Sequence, residues 1–363
     1  MSSTWGENLK ISIFGESHSQ GIGVVIDGLP ASHKIDLDKV YMQMKRRAPG
    51  QDKTATARKE ADKPKILSGF IDGKTEGSPL CAVIENTNTR SGDYANILNC
   101  PRPGHSDFCA FVKYSASNDI SGGGHFSGRL TAPLVFAGSV ARQILEEKGI
   151  EIVAHAQKIA GVDDEKFNPT HVEKELITRL NSEYFSVISS DAKQKMCGNI
   201  ETARMNLDSV GGIVECAVTG LPVGLGEAMF GGMENKISDI IFGIPAVKAL
   251  EFGSGFACAD MLGSENNDEF YYDENGEVKT YTNNCGGILG GMTNSMPLIF
   301  RLAIKPTASI AKAQRSVNLV TKEDEMLEIK GRHDPCIVPR AIPVVESAVA
   351  IAILDVMLKE GKI

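Results

Sequence analysis

Residues 131–148 read TAPLVFAGSVARQILEEK, and residues 341–359 read AIPVVESAVAIAILDVMLK. Both segments are apolar around nearly the whole helical circumference, and both are too long for strands. Each has a proline in its first turn, Pro133 or Pro343, and a glycine just past its end, which is the usual asymmetry of a helix. A helix without a polar face belongs in the interior of a protein. The two segments therefore predict a buried helical centre.

Shorter apolar runs predict strands and one surface helix around this centre. Residues 11–14 and 23–26 flank a glycine-rich turn, and residues 80–84 form a further apolar run, so each is interpreted as a strand. Residues 36–47 place apolar side chains on one face, which predicts an amphipathic helix with Asp36 as its N-cap. The chain therefore combines strands with buried and surface helices.

A short sequence match raises the question of duplication. Residues 25–30 read VIDGLP and residues 217–222 read AVTGLP. Each copy precedes a helical stretch and, much later, a buried helix with an early proline. A match this short also arises by chance, so the sequence leaves an internal two-fold repeat and a chance likeness both open.

Composition limits the class of protein. The chain has 363 residues, 42% of them hydrophobic, and a formal net charge of -8, which argues against general nucleic-acid binding. Its eight cysteines form no C-x-x-C pair, and no basic stretch followed by an apolar run opens the chain. We therefore expect reduced thiols, no signal peptide and a cytoplasmic location. No run of about 18 apolar residues is free of charge, so we expect no membrane span.

One segment of this acidic chain is strongly basic. Lysines and arginines are concentrated between residues 45 and 59, around the turn formed by residues 48–50. Two interpretations remain open: a solvated helix end, where cations are favoured, or a binding site for an anion. The basic residues are Lys45, Arg46, Arg47, Lys53, Arg58 and Lys59.

Four turns combine glycine or proline with histidine or arginine. Glycine lets the backbone approach a ligand, arginine forms a fork for phosphate or carboxylate, and histidine exchanges protons near neutral pH. Two of the turns precede the buried helices, where their glycines either serve packing or offer backbone N–H groups to an anion. Together the turns predict one composite site for an anionic substrate that reacts by proton transfer. They are GESH (15–18), RPGHSD (102–107), GGGHFSGR (122–129) and GRHDPC (331–336).

The residues in these turns differ in how strongly they indicate a functional site. His18 is a lone histidine in a turn, and such residues are most often simply at the surface, whereas His105 has an arginine three residues before it. His125, Ser127 and Arg129 stand where a buried helix begins, so N–H groups, a hydroxyl and a guanidinium could bind phosphate together. The chain has no P-loop motif, no G-x-G-x-x-G motif and no His/Cys spacing suited to zinc, so we expect no metal.

Longer stretches around these turns carry the most specific signal. They are GESHSQGIGVVIDGLP (15–30), RRAPG (46–50), RPGHSD (102–107), GGGHFSGRLTAP (122–133), AVKALEFGSGF (246–256), NNCGGILGG (283–291), KPTAS (305–309) and GRHDPC (331–336). These stretches resemble the signature regions of the chorismate synthase family. The resemblance extends from Trp5 to the C-terminal helix, and its motifs are long and rarely shared with other families.

The resemblance implies a reaction, a fold and partners. Chorismate synthases act in the shikimate pathway, where they remove phosphate and a proton from 5-enolpyruvylshikimate 3-phosphate by anti-1,4 elimination and require reduced FMN. Their fold is an α+β, β-α-β sandwich with central helices buried between two antiparallel sheets and an internal pseudo-two-fold. We accordingly expect one domain over residues 1–363, a homotetramer and an external flavin reductase as the source of reduced FMN. Whether the chain itself has NAD(P)H-dependent reductase activity stays undecided.

Matching the motifs residue by residue implies roles for individual side chains. His18 would protonate the leaving phosphate, His105 would control protonation at flavin N1 and the C2 oxygen, and Asp334 would neighbour flavin N5, the expected acceptor of the substrate proton. The implied substrate-binding residues are Arg47, Lys53, Arg102, Ser127, Arg129 and Arg332. The implied FMN-binding residues are His125, Phe126, Ser127, Ala246, Gly290, Lys305, Pro306, Thr307, Ala308, Ser309 and Arg332.

The chain departs from the family pattern at several positions. His125 and Phe126 stand where the family often has Arg-Ser, Pro245 where others have asparagine, Ser19 where glycine is common, and Lys53 where many members carry arginine. These differences concern individual contacts rather than the reaction. Two rival functions remain: a flavin-dependent redox enzyme that consumes NAD(P)H, and a non-catalytic module that binds phosphorylated metabolites.

Overall fold

The computed structural model describes residues 3–52, 54, 62–87, 97–329 and 333–363. Within these residues the strands form two five-stranded sheets and four two-stranded hairpins. The strand pairs in both sheets are antiparallel. The structure is therefore of the mixed α+β class that the resemblance implies.

The elements are numbered in chain order. The strands are β1 (Thr4–Trp5), β2 (Lys10–Gly15), β3 (Gly21–Asp27), β4 (Lys65–Ser68), β5 (Phe70–Ile71), β6 (Lys74–Thr75), β7 (Leu80–Glu85), β8 (Glu151–Ile159), β9 (Val162–Asp163), β10 (Gly212–Thr219), β11 (Val247–Phe252), β12 (Phe270–Tyr272), β13 (Val278–Thr280), β14 (Ile288–Leu289), β15 (Met292–Thr293), β16 (Leu298–Ile304), β17 (Gln314–Val317) and β18 (Asp324–Leu327). The helices are α1 (Leu37–Arg47), α2 (Asp107–Lys113), α3 (Thr131–Glu146), α4 (Lys174–Ser182), α5 (Ser190–Met205), α6 (Met233–Phe242), α7 (Gly263–Asn266) and α8 (Val338–Lys359).

The first sheet has the strand order β1-β2-β3-β7-β4, and the second has the order β11-β16-β10-β8-β9. The three predicted strands are confirmed, since they fall in β2, β3 and β7. Ile22, Val24 and Ile26 alternate along the central strand β3 and are fully buried, so this face of the first sheet points into the core. The predicted surface helix is also confirmed as α1, whose N-cap Asp36 accepts a hydrogen bond from the backbone N–H of residue 38 at 2.9 Å.

Helices α3 and α8 form the buried centre that their sequences predict. Helix α3 packs against β2, β3 and β7 of the first sheet, α8 packs against β8 and β10 of the second, and the two helices pack against each other. A Cβ on Gly138 would lie 2.2 Å from Cβ of Ser347, so glycine is required for this close approach. Among the described residues, α8 is long and apolar enough to cross a membrane, but 94% of its apolar window is buried inside the protein. It is a core helix.

Helix α8 begins earlier than its sequence pattern predicts, at Val338 instead of residue 341. Pro339 occupies the first turn, where the missing N–H of proline costs nothing. Pro343 consequently lies inside the helix, where it cannot donate to the carbonyl of Pro339. The prediction that Pro343 opens this helix is therefore wrong, because a second proline upstream takes that position.

The basic residues at positions 45–47 differ in their exposure and in their contacts. Lys45 is exposed, as a solvated helix end requires, but Arg46 and Arg47 are buried. Arg46 points into the core, where Nη1 and Nη2 donate to the two carboxylate oxygens of Glu346 at 2.6 and 3.1 Å. Arg142 of α3 donates to the same carboxylate at 3.2 Å, so this ion pair joins α1, α3 and α8. Lys53, Arg58 and Lys59 lie outside the described residues.

Candidate active site

A cavity of about 980 Å³ opens beside the N-terminal ends of α3 and α8. It brings together turns that are far apart in the sequence, including residues 102–106, 122–129, 305–309 and 333–334. The first strand and the segment after α6 complete its wall. The predicted site residues in this wall are Arg47, Arg102, His105, His125, Phe126, Ser127, Arg129, Ala246, Lys305, Pro306, Thr307, Ala308, Ser309 and Asp334.

Among the described residues, the predicted site residues His18 and Gly290 do not line this cavity. His18 lies directly behind it: a Cβ on Gly122, which lines the cavity, would be 2.2 Å from His18 Cε1. Gly290 lies in the turn between β14 and β15, away from the lining residues. Lys53 and Arg332 lie outside the described residues.

The wall of the cavity is cationic, although the whole chain has a net charge of -8. Its carboxylates within the described residues are Asp239 and Asp334. A cationic cleft in an acidic protein attracts anions specifically to that cleft. Within the described part of the chain, no group of three or more His, Cys, Asp or Glu residues could hold a metal ion. The cationic residues described in the wall are Arg47, Arg102, Arg129, Lys248, Lys305 and Arg340.

Arg47 and Arg129 share one buried carboxylate, that of Asp62. Nη1 of Arg47 donates to Asp62 Oδ2 at 2.8 Å, and Nη1 of Arg129 donates to Oδ1. Nη2 of Arg47 also donates to the carbonyl of Gly128 at 2.8 Å, and Nε of Arg129 to Asn86 Oδ1 at 3.0 Å. Burial lowers the pKa of Arg47 to about 10. Burial alone would raise the pKa of Asp62, but the two guanidiniums hold it below its ordinary value. Arg47 and Asp62 thus stay charged at neutral pH.

His105 belongs to a second buried network at the start of α2. Its Nδ1 lies 2.5 Å from Oδ1 of Asp107. Arg102 binds the same carboxylate from the other side and also reaches Oγ of Ser309 at 3.1 Å. Burial alone would raise the pKa of Asp107, but the hydrogen bonds from Arg102 and His105 hold it well below its ordinary value. The carboxylate therefore stays ionised beside the histidine.

Asp334 is paired with Arg340, which lies in the first turn of α8. Nη1 of Arg340 donates to Asp334 Oδ2, and its Nε donates to the backbone carbonyl of Arg47 at 3.0 Å. Burial opposes the charge of Arg340, yet Asp334 raises the pKa of Arg340 above its ordinary value. This contact connects the turn before α8 to the last residue of α1.

His125 is held between the two ends of the N-terminal segment. Its Nδ1 lies 2.8 Å from the carbonyl oxygen of Gly15, and its Nε2 lies 2.6 Å from Oγ of Ser3. A carbonyl can only accept, so Nδ1 carries a hydrogen. Both ring nitrogens therefore contact the protein, and this side chain connects the loop of residues 122–129 to the first sheet.

Sequence reasoning misses several residues that the structure places in or behind the cavity. The sequence offers an indication for Asp107, because it follows His105 by two residues. Arg340 had a weaker one, as a single cation at the start of an apolar helix. Asp62 had none, since its contacts with Arg47 and Arg129 depend on the tertiary fold.

Comparison with known proteins shows the family of the chain. A family model described as chorismate synthase matches residues 9–358. The chain is 42% identical over 366 residues to the chorismate synthase of Methanococcus aeolicus, covering 99% of this chain and 98% of that protein. It is 45% identical over 368 residues to that of Lancefieldella parvula, covering 98% and 96%. A solved structure of chorismate synthase matches with a TM-score of 0.77 at 24% identity, covering 98% of this chain and 93% of the other, and so shares its fold. The chain belongs to the chorismate synthase family.

Proposed function

We propose that the cavity described above is the active site for the reaction of this family. The chain eliminates phosphate and a proton from 5-enolpyruvylshikimate 3-phosphate in an anti-1,4 sense and yields chorismate, in the route to aromatic amino acids. The observation that carries the site assignment is the convergence of cationic side chains with His105 and Asp334 in one cavity. A substrate with a phosphate and two carboxylates needs such a cationic wall.

Arg47 and Arg129 are the best supported substrate ligands. Asp62 fixes their guanidinium groups side by side, and both residues line the cavity. Ser127 lies in the same wall, and its Oγ accepts from the backbone N–H of Arg129 at 3.3 Å. The remaining proposed substrate ligands are Lys53, Arg102 and Arg332.

Proton transfer is assigned to three side chains. His18 supplies a proton to the leaving phosphate from behind Gly122, where a residue with a Cβ would collide with its ring. Asp334, whose carboxylate accepts a hydrogen bond from Arg340, would neighbour flavin N5, the expected acceptor of the substrate proton. His105 exchanges a proton at Nε2. Each such role contributes roughly 10²–10⁴-fold to the rate.

The wall also fits a flat, phosphorylated cofactor, as reduced FMN requires. Gly122, Gly123 and Gly124 all have positive φ values, which glycine adopts readily, and Gly122 presents backbone without a side chain in the cavity wall. Thr307 Oγ1 is buried and has no hydrogen-bond partner among the described residues, which leaves it available to a ligand. When bound, reduced FMN supplies an electron-rich surface that eases loss of phosphate. The residues proposed to hold it are His125, Phe126, Ser127, Ala246, Gly290, Lys305, Pro306, Thr307, Ala308, Ser309 and Arg332.

The finer architecture is proposed as one domain over residues 1–363, a β-α-β sandwich with an internal pseudo-two-fold. The repeated sequence supports it: residues 25–30 and 217–222 both end the central strand of a five-stranded sheet. Gly28 and Gly220, at equivalent places in the repeat, both have positive φ values of 89° and 78°. Each half also contributes one buried helix to the centre.

The partners follow from the family. We propose a homotetramer, for which the exposed apolar side chains of Met229, Phe230 and Phe256, at 78%, 85% and 81% exposure, offer contact surface. An external flavin reductase would supply the reduced FMN, and the location would be cytoplasmic.

One assay separates this function from its rivals. Purified enzyme is mixed anaerobically with the substrate, with and without reduced FMN, and released phosphate is measured together with the flavin spectrum. We expect phosphate release that needs reduced FMN and leaves the flavin reduced over many turnovers. Stoichiometric NAD(P)H consumption would indicate a redox enzyme, and binding without phosphate release would indicate a binding module. Equal rates with oxidised FMN, without any reductant, would also refute the proposal.

A further inference from the structure

We propose that Asp107 is a positioning residue that fixes the tautomer of His105, and that Arg102 serves chiefly to hold Asp107 rather than to bind substrate. The idea rests on the proposed function only in giving His105 a proton to exchange. It goes beyond the family roles, which place Arg102 among the substrate ligands and leave Asp107 without a role.

The tautomer follows from two contacts at one atom. His105 Nδ1 lies 2.5 Å from Oδ1 of Asp107 and 3.0 Å from Nη2 of Arg102. An ionised carboxylate can only accept a hydrogen bond and a guanidinium can only donate one, so Nδ1 cannot satisfy both. The much shorter distance to the carboxylate decides between them. Nδ1 therefore carries a hydrogen and donates it to Asp107.

Arg102 is occupied by the protein on all three of its side-chain nitrogens. Its Nε donates to Oδ2 of Asp107 at 2.7 Å and its Nη2 to Oδ1 at 2.7 Å, which is the bidentate fork of a strong ion pair. Its Nη1 donates to Ser309 Oγ at 3.1 Å. The backbone N–H of Arg102 also donates to Asp107, at 3.0 Å. Its charge thus compensates Asp107, and its side chain ties Asp107 to the turn at residues 305–309.

The consequence appears at the other nitrogen of His105. With Nδ1 protonated, neutral His105 has an unprotonated Nε2 that can accept a proton. Nε2 points towards Gly123, since a Cβ built there would lie 3.3 Å from it. The charged groups around the ring are Asp107, Arg102 and Lys305, whose Nζ donates to the carbonyl of Gly104.

The tautomer can be measured without substrate or flavin. Solid-state ¹⁵N NMR of protein labelled only in its seven histidines distinguishes protonated from unprotonated ring nitrogens at any molecular size. The His105 signals are assigned by their loss in His105→Gln. We expect neutral wild-type His105 to be protonated at Nδ1. In Asp107→Asn an amide N–H₂ can face Nδ1, and the hydrogen should move to Nε2. His155, which is bound by two other carboxylates, serves as the internal control and should keep its signals.

Kinetics then test the two positioning roles. Asp107→Asn should lower kcat by roughly 10²–10⁴-fold with little change in KM, the pattern of a wrong tautomer seen when the buried Asp of a serine-protease triad is replaced by asparagine. Arg102→Lys should also act mainly on kcat, and Asp107→Glu should recover part of the activity. Asp208→Asn, which removes an exposed carboxylate paired with Lys312, is the matched control and should behave as wild type.

These experiments can refute the roles of Asp107 and Arg102 without refuting the proposed function. A wild-type His105 protonated at Nε2, or an unchanged tautomer in Asp107→Asn, overturns the assignment of Asp107, and the wild-type spectrum decides this even if the variant does not fold. A large rise in KM for Arg102→Lys with unchanged kcat would indicate that Arg102 binds substrate. It would overturn the proposal that Arg102 chiefly holds Asp107. Absence of phosphate release by the wild-type enzyme refutes the proposed function instead.

Discussion

Replacing Asp62 with asparagine would remove the counter-ion shared by two buried arginines. The side chains of Arg47, Arg129 and Asp62 are 4%, 3% and 0% exposed, so water cannot substitute for the lost charge. Asparagine has the same shape and keeps one acceptor oxygen. Its amide nitrogen, however, can only donate, and it would face a guanidinium that can also only donate. The variant should therefore fold into a less stable protein with a strained pair of cations.

The expected loss follows from the burial of the pair. Removing one partner from a buried ion pair costs about 3–5 kcal/mol, because the other charge is left uncompensated. The oxygen that asparagine retains keeps one hydrogen bond to a charged group, so we expect a loss near the lower end, about 3 kcal/mol. An exposed pair is worth about 0–1 kcal/mol. Asp208 and Lys312, 40% and 60% exposed, form such a pair, and Asp208→Asn is the matched control.

The assay is urea denaturation of wild type, Asp62→Asn and Asp208→Asn as a function of pH. The two guanidiniums hold the pKa of Asp62 below its ordinary value of 3.8 against the effect of burial. A lowered pKa stabilises the folded state above the unfolded pKa, and this contribution disappears as the pH falls through the folded value. The advantage of wild type over Asp62→Asn should thus be full at pH 7 and shrink below about pH 4.

Inorganic phosphate adds a second readout to this experiment. A bound dianion could replace the missing carboxylate, and a ligand at 100 times its Kd stabilises the folded state by about 2.7 kcal/mol. Phosphate should therefore stabilise Asp62→Asn more than wild type. Equal free energies of unfolding for the Asp62 and Asp208 variants at pH 7 would refute the reasoning, as would a wild-type advantage that is unchanged at low pH.

Three further predictions use other parts of the molecule. His155 is fully buried, and despite burial the hydrogen bonds that it donates to the carboxylates of Asp164 and Glu215 raise its pKa above the ordinary 6.5. Its contribution to the free energy of unfolding is therefore complete below that value and is lost as the pH rises. The difference in unfolding free energy between wild type and His155→Gln should accordingly shrink on the alkaline side, and a constant difference would contradict this. His18→Ala should lower turnover roughly 10²–10⁴-fold with flavin affinity intact, whereas His105→Ala should also change the absorbance of bound reduced flavin; equal spectra in the two variants would remove the distinction. Trp5 is the one tryptophan of the chain and lines the cavity, so binding of FMN should quench its fluorescence, and Trp5→Phe should lose the signal while still binding FMN.

The features that the sequence predicts correctly are those with a local cause. The apolar circumference of α3, the Asp36 cap of α1 and the alternation in β3 each arise from residues that are neighbours along the chain. Their physical causes act before any tertiary contact forms, so a periodic pattern is enough to find them. The start of α8 was misplaced because two prolines compete for one position, and the local pattern does not say which one prevails.

The parts of the site that escaped prediction depend on distant contacts. Arg46 and Arg47 are adjacent in one basic segment, yet one pairs with Glu346 in the core and the other lines the cavity. Successive residues on a helix point in directions about 100° apart, so adjacent arginines can contact different parts of the protein. The contacts of each arginine are decided by residues that lie 300 positions along the chain or across a loop. The composition of the basic segment does not indicate those contacts.

The different contacts of these two arginines also explain how Arg47 is held in place. Glu346 of α8 fixes Arg46, and therefore the last turn of α1, against the core. The backbone carbonyl of Arg47 accepts a hydrogen bond from Arg340, and Arg340 in turn binds Asp334. Arg47, a proposed substrate ligand, and Asp334 are thus connected through the start of the same buried helix. Holding reacting groups at fixed separations lowers the entropy lost on reaching the transition state. A core with charged side chains inside it therefore serves the site, because those charges fix the position of the groups that bind and react.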